Sequence, residues 1–324
     1  MKIFSGTANE LLAGSICKNL GIPLGEIQHK TFASGELYCH FLENIRGSDV
    51  FLINPITFPA NDNLMQLLLM ADAARRASAG KITAVIPYFG YGRQDRKDKS
   101  RVPISAKLVM DLINASGFDR VVTMDLHAPQ VGGFTNLPFD HLSFKPSLIN
   151  VIRDNDVDID MIVAPDIGAV KRTQDYAKSL KKNLAIIAKE RLNDTEVEVT
   201  NFIGNVKNKK VLIVDDLTES VDTLTKAAKA CAEKGATEIN VAVTHGCFSS
   251  KGVLDLKKGI ESGLFTRFFY SNTVSTKHYE DSLDEHEESI FNHPSMVCVD
   301  VSSVFATAIS RIHNNESVSE LFVV

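Results

Sequence analysis

The chain has 324 residues, with 35 Lys and Arg against 40 Asp and Glu for a formal net charge of −5, and 44% of its residues are hydrophobic. That length suffices for about two domains, each able to bury a core without disulfides or a structural metal, and the mild acidity excludes a nonspecific nucleic-acid binder, which carries a basic surplus. The longest apolar runs, residues 67–71 and 184–188, fall far short of the roughly twenty residues of a membrane span.

In chain order, short β-branched runs alternate with amphipathic segments from end to end, the pattern of an α/β protein with mainly parallel sheets. The opening MKIFSGTANE lacks an apolar signal core and reads as a first strand and turn. Strands are predicted at 50–53, 82–86, 121–124, 161–164, 185–187, 211–214 and 239–243, with helices between them. Segment 63–78 has a wide apolar face and is predicted to stop before Gly80, with a glycine closing its C-terminus. Pro103 is placed in the first turn of a helix running to about Ser116 and ended by Gly117.

A domain boundary is expected near residues 138–146, giving domains over 1–146 and 147–324, with a fresh helix at 147–155. A last helix over 301–313 is free to pack back on the first domain, and the apolar tail LFVV can seat on a domain or an interface. Cys17, Cys39, Cys231, Cys247 and Cys298 are widely spaced and form no C-x-x-C pair, which fits reduced thiols in or near cores and a cytoplasmic protein.

Ligands of open parallel sheets sit outside the carboxyl ends of the strands, so the residues after each strand carry the chemistry. In VLIVDD the apolar run meets Asp215 and Asp216, a pair suited to two sugar hydroxyls or a water-held metal, or alternatively a solvated turn with an Asp capping the helix near Val221. In TMDLHAP the two-residue period of an extended chain puts Asp125 and His127 on one side, where they can hold a divalent cation, although a satisfied surface histidine fits as well. In VAPDIGA, Asp166 and Gly168 precede a helix expected at Val170, whose free N–H groups and dipole favour a phosphate; an ordinary Asp N-cap is the alternative.

The stretch PYFGYGRQDRKDKSR sets Arg93, Arg96, Lys97, Lys99 and Arg101 against Asp95 and Asp98, a local polyanion site in an acidic protein. Gly90 and Gly92 are expected to make that loop deformable, with Phe89 and Tyr91 available to stack on a base. In AKERLN, Lys189 and Arg191 share a side of an extended chain and suit an anionic transition state, or belong to a charged turn. Cations, metal-type ligands, a phosphate-type helix start and a diol-type acidic pair on one chain point jointly to phosphate transfer involving a sugar.

The order and spacing of FASGE (32–36), PYFGYGRQDRK (87–97), PISAKL (103–108), DLHA (125–128), APDIG (164–168), KER (189–191), VDD (214–216) and VTHGCFS (243–249) resemble the ribose-phosphate pyrophosphokinase family. The resemblance implies two tandem phosphoribosyltransferase-like α/β domains and a homo-oligomer of dimers within a hexamer. The reaction it implies moves the diphosphoryl group of Mg-ATP to the 1-hydroxyl of ribose 5-phosphate, releasing AMP. It also implies site roles. Phe32, Ser34 and Glu36 would approach the adenine of ATP bound by a neighbouring subunit, while Arg93, Gln94, Asp95 and Arg96 contact the nucleotide. His127 and Asp166 would ligate Mg2+, and Asp166 with Gly168 would also hold phosphate. Asp215 and Asp216 would bind ribose hydroxyls, and Lys189, Arg191 and Arg96 would act on the transferred group.

Two positions depart from the family pattern. Ser34 stands where FASGE-type motifs carry Asp, and the phosphate loop 219–223 reads ESVDT instead of DTAGT. In that loop, which includes Glu219, Thr223 is retained and Ser220 keeps a hydroxyl, but Asp222 replaces a glycine and would oppose a phosphate by up to about 4 kcal/mol at 4 Å. The altered loop therefore leaves a ribose with a substituted 5-phosphate, ADP-ribose, as an alternative acceptor in NAD metabolism, and a non-catalytic homologue as a second.

Overall fold

The computed structural model describes residues 1–191, 197–280 and 288–322. The chain divides into two compact units, the first formed by 1–144, 273–275 and 300–323 and the second by 145–272 and 276–299. Both are α/β with parallel sheets, as the alternation of runs requires. No helix among the described residues is long and apolar enough to cross a membrane.

In the first unit, β1 (Lys2–Ser5) leads to α1 (Glu10–Leu20), then to the hairpin β2 (Ile27–Thr31) and β3 (Leu37–Phe41). β4 (Asp49–Ile53), α2 (Ala60–Arg76), β5 (Lys81–Ile86), α3 (Ser105–Ser116), β6 (Arg120–Met124) and β7 (Phe139–Leu142) follow. The main sheet runs β1-β4-β5-β6-β7, parallel throughout, and the hairpin stands apart from it as an antiparallel pair. Phe4, Val50, Leu52, Ala84, Ile86 and Val121 belong to the buried cluster under α2 and α3.

Two helix ends differ from expectation. α2 closes on Ala77, and Ser78 rather than a glycine takes the left-handed conformation at φ 61°. Gly80 serves a different need: a Cβ there would sit 2.8 Å from the Gly47 carbonyl oxygen, so the residue allows two backbones to approach. α3 begins at Ser105 with Ile104 as its N-cap, leaving Pro103 just outside the helix, while Gly117 closes it at φ 94° as expected.

The second unit contains α4 (Lys145–Asp154), β8 (Met161–Ala164), α5 (Val170–Leu180), β9 (Asn183–Arg191), β10 (Val197–Ile203) and β11 (Lys210–Thr218). It continues with α6 (Asp222–Glu233), β12 (Glu238–Gly246), α7 (Ser250–Glu261), β13 (Arg267–Ser271), the short α8 (Lys277–Glu280) and β14 (Met296–Val299). Its sheet runs β10-β9-β8-β11-β12-β13-β14, parallel except for the antiparallel β9/β10 edge. α9 (Ser302–His313) belongs to the first unit and packs on α1, where Asn19 Nδ2 donates to Ser302 Oγ at 2.8 Å. None of the five cysteines forms a disulfide; Cys17 and Cys231 are buried, and burial pushes their thiols up to about 11 and about 12, while Cys298 is exposed.

Candidate active site

The acidic pair follows from how far β11 extends. The strand continues beyond Val214 to Thr218, so Asp215 and Asp216 are strand residues at the carboxyl end of the sheet, and the solvated-turn reading is excluded. The N-cap of α6 is Val221, with no side-chain cap. Asp216 is 3% exposed, and Arg172 in the first turn of α5 donates from Nη1 to Asp215 Oδ1 at 3.2 Å and to Asp216 Oδ1 at 3.1 Å. Burial, and then the neighbouring Asp216 carboxylate, raise the Asp215 carboxyl above the usual range, while the Arg172 guanidinium works in the opposite direction. Two desolvated carboxylates held by one cation are poor surface features and good acceptors for a pair of hydroxyls.

The turn after β8 is built on Asp166, whose Oδ1 accepts the Ala169 N–H at 3.0 Å. The N-cap of α5 is Ala169 with no side-chain cap, so the Asp N-cap alternative does not hold; the Val170 N–H goes to the Ile167 carbonyl oxygen at 3.3 Å, and a helix start without a side-chain cap is an arrangement that attracts a phosphate. Gly168 fits closely, since a Cβ there would meet Asp166 Oδ1 at 3.2 Å.

Loop 219–222 is locked against the start of α7. Ser249 donates from its N–H to the Glu219 carbonyl oxygen at 2.9 Å, and a Cβ on Gly252 would lie 1.9 Å from that same oxygen. Val221 is forced to φ 62°, an unusual conformation for a β-branched residue, with its N–H held by Thr218 Oγ1 at 3.1 Å. Ser220 Oγ accepts the Asp222 N–H at 3.4 Å, and Thr223 is exposed on the first turn of α6. Asp222 does not present an uncompensated charge: Lys251 Nζ lies 3.0 and 2.8 Å from its two carboxylate oxygens and holds its carboxyl below the usual range.

In the first unit, Phe32, Ser34 and Glu36 occupy the turn of the β2–β3 hairpin, closed by the Phe32 N–H on the Glu36 carbonyl at 2.9 Å and by Gly35 at φ 88°. Phe32 is 43% exposed, with the Lys30 ammonium 4.9 Å from its ring centre. Ser34 Oγ donates to Glu36 Oε2 at 2.7 Å, so the serine orients that carboxylate.

The basic loop departs from its sequence reading in two ways. Phe89 is 4% exposed and part of the core, so it cannot stack on a base, and the Tyr91 hydroxyl is engaged by Asn61. Gly90 is not there for deformability: a Cβ would sit 2.3 Å from the Ile56 carbonyl oxygen, so the glycine lets the loop pass close to the chain after β4. Arg93 and Arg96 are exposed, while Gln94 accepts Ser105 Oγ at 2.6 Å and Asp95 accepts Gln130 Nε2 at 2.7 Å.

The extended-chain argument for Asp125 and His127 also fails, because Asp125 turns at φ 34° and its carboxylate accepts the Phe144 N–H at 3.4 Å. His127 is exposed, and the Leu126 N–H beside it donates to His141 Nε2 at 2.8 Å. Lys189 and Arg191 lie on β9 opposite Val199 and Val197 of β10; their side chains lie outside the described residues. Among the described residues no group of three or more His, Cys, Asp or Glu could hold a metal ion.

Arg172 and Lys251 were absent from the sequence reading. Each has a signal in retrospect: a cation in the first turn of a helix opposes the helix dipole and needs a local carboxylate to justify it.

Known proteins are similar to this chain in sequence and in fold. Residues 1–117 match the model for the N-terminal domain of ribose phosphate pyrophosphokinase, and 195–323 match the phosphoribosyl synthetase-associated domain. The chain is 44% identical over 324 residues to a ribose-phosphate pyrophosphokinase of Caldanaerobacter subterraneus, covering 99% of this chain and 98% of that one. It is 43% identical over 323 residues to ribose-phosphate pyrophosphokinase A of Dictyostelium discoideum, again covering 99% and 98%. The crystal structure of phosphoribosylpyrophosphate synthetase from Mycobacterium smegmatis superposes with a TM-score of 0.86 at 32% identity, covering 97% of this chain and 99% of the other.

Proposed function

The chain belongs to the ribose-phosphate pyrophosphokinase family, and from that premise we propose that it transfers the diphosphoryl group of ATP to the 1-hydroxyl of ribose 5-phosphate, forming phosphoribosyl pyrophosphate and AMP. The observation that carries the reading is the buried Asp215–Asp216 pair tied by Arg172 to the helix that follows the Asp166 turn, which sets a diol-binding element beside a phosphate-binding one.

In this reading Asp215 and Asp216 accept hydrogen bonds from the ribose hydroxyls and orient the 1-hydroxyl for in-line attack on the β-phosphorus. Loop 219–223 and the first turn of α6 take the 5-phosphate, and the N–H groups at the start of α5 with Gly168 take the diphosphoryl group. Phosphoryl transfer depends on positioning and charge neutralisation more than on covalent help, so Arg96, Lys189 and Arg191 serve as cations for the migrating charge. The exposed hairpin turn with Phe32 and Glu36 supplies an adenine contact within a homo-oligomer, with Arg93, Gln94 and Asp95 toward the nucleotide.

Magnesium fits the residues present. Asp166 commits one carboxylate oxygen to Ala169, leaving the other for a cation, and His127 is an exposed imidazole. Mg2+ is ordinarily held by one or two protein ligands with substrate phosphates and water, so a three-ligand protein cluster is not required. Mg2+ would neutralise charge on the transferring phosphates.

The ground for an esterified acceptor such as ADP-ribose was an uncompensated Asp222; with Lys251 on that carboxylate, ribose 5-phosphate is the simpler acceptor. Mass spectrometry of the nucleotide products after turnover of Mg-ATP with ribose 5-phosphate tests the reading. AMP and phosphoribosyl pyrophosphate are expected; ADP, or no acceptor-dependent product, overturns it.

A further inference from the structure

We propose that Lys251 is a specificity-determining residue of the acceptor site, and that the Asp222–Lys251 pair does the work of a small, uncharged residue at position 222. The inference rests on the reading of loop 219–223 as the acceptor's phosphate loop.

Asp222 is the first residue of α6, where the helix dipole stabilises a carboxylate and the same N–H groups would otherwise face an incoming phosphate. Left alone, that carboxylate competes with a dianionic ligand for the helix start. Lys251 is the second residue of α7, and its cation is unfavourable at that helix's own N-terminus. Each residue is in the wrong place for its own helix–ligand or helix–dipole partnership, and each corrects the other.

Their meeting is fixed by the backbone. The Ser249 N–H and Oγ both reach the Glu219 carbonyl oxygen, at 2.9 and 3.2 Å, and Ser249 Oγ in turn caps α7 by accepting the Gly252 N–H at 3.1 Å. Only glycine fits at 252, because any Cβ would overlap the Glu219 oxygen at 1.9 Å. The first turn of α7 is thereby seated on the acceptor loop, with Lys251 Nζ at 3.0 and 2.8 Å from the Asp222 oxygens. Lys251 also lies 3.7 Å from Asp255 one turn along α7, and Lys226 on α6 adds a further positive charge near Asp222.

Stability does not explain the pair. Its side chains are 63% and 47% exposed, and ion pairs of that exposure add little to folding. What it changes is the field at the loop: with Lys251 present the Asp222–Lys251 ion pair is neutral, and a phosphate monoester meets no net like charge from it.

The test is steady-state kinetics of the full-length enzyme with Mg-ATP and ribose 5-phosphate. Lys251→Ala should raise KM for ribose 5-phosphate at least tenfold with KM for Mg-ATP changed less than twofold, and Lys251→Arg should stay within threefold of wild type. The double variant Asp222→Ala with Lys251→Ala should regain a KM within threefold of wild type, an outcome that loss of folding or of mere packing would not give. Lys251→Ala with an unchanged KM for ribose 5-phosphate, or a double variant as impaired as the single one, overturns the inference while leaving the pyrophosphokinase reading intact. A wild-type protein that forms no AMP with ribose 5-phosphate overturns the reading itself, and this inference with it.

Discussion

Arg172 Nη1 stands 3.1 Å from Asp216 Oδ1 and 3.2 Å from Asp215 Oδ1, so one guanidinium from the start of α5 governs both carboxylates at the end of β11. Burial and Asp216 raise the Asp215 carboxyl, Asp166 raises it further, and Arg172 lowers it. A carboxylate must be ionised to accept from a ribose hydroxyl at full strength, so the proposed acceptor site would work above the ionisation of this pair. Removing Arg172 takes away the lowering influence; the pair then protonates at higher pH, and activity is lost earlier as pH falls. Arg172→Gln should move the acid limb of kcat/KM for ribose 5-phosphate upward by about one pH unit, with Arg172→Lys recovering part of the shift. A pH–rate profile whose acid limb stays in place in Arg172→Gln would sink this assignment.

Phe89 and Phe32 illustrate how the same residue type does opposite work. Phe89 is 4% exposed within the core of the first unit, whereas Phe32 is 43% exposed on the hairpin turn. Phe89→Ala should cost about 3–5 kcal/mol of stability, seen as a lowered denaturation midpoint, because it leaves a cavity that the sheet and helices cannot fully close. Phe32→Ala should leave the midpoint within about 0.5 kcal/mol of wild type and instead raise KM for ATP severalfold. Equal loss of stability in both variants would contradict the division.

Much of this was legible in the sequence because strand ends in a parallel sheet concentrate the chemistry, and VLIVDD, VAPDIGA and the hairpin FASGE each sit at such an end or turn. What misled was local periodicity carried past the end of a strand. β6 stops at Met124, and the positive φ of Asp125 breaks the alternation that would have paired it with His127. Close approach, not flexibility, decides Gly90, which passes the Ile56 carbonyl; Gly252, for which the sequence pattern carries no sign, passes that of Glu219. Arg172 and Lys251 stand out in sequence only as cations in a helix's first turn, and their roles were hidden for a different reason. Their carboxylate partners lie 43 and 29 positions away in the chain, and no spacing rule reaches that far.

The cations of β9 give a kinetic expectation. Lys189 and Arg191 lie two residues apart on β9. If they meet the diphosphoryl group only as it transfers, Lys189→Ala or Arg191→Ala should lower kcat by roughly a hundredfold, about 3 kcal/mol, with little change in KM for ATP. Near wild-type kcat in both variants would return them to the status of surface charges.

His141 positions the loop that carries His127. Its Nε2 accepts the Leu126 N–H at 2.8 Å, so that nitrogen is unprotonated, and the Asp125 N–H is held in parallel by the Leu142 carbonyl at 3.0 Å. Leu126 is 4% exposed, so its N–H would lose its partner out of reach of water if the imidazole were removed. Such a loss costs about 1–3 kcal/mol, and the loop can escape it only by shifting, which moves His127 from the position where it would meet magnesium. Outer groups that orient a metal ligand typically change metal affinity by about tenfold or more. His141→Phe, which fills the space without an acceptor, should therefore raise the free Mg2+ concentration for half-maximal rate about tenfold. His141→Gln keeps an acceptor oxygen and should fall within about threefold of wild type, on the same scale of a retained hydrogen bond. Identical magnesium requirements in the Phe and Gln variants would show that the ring packs without positioning, and would detach His141 from the metal loop.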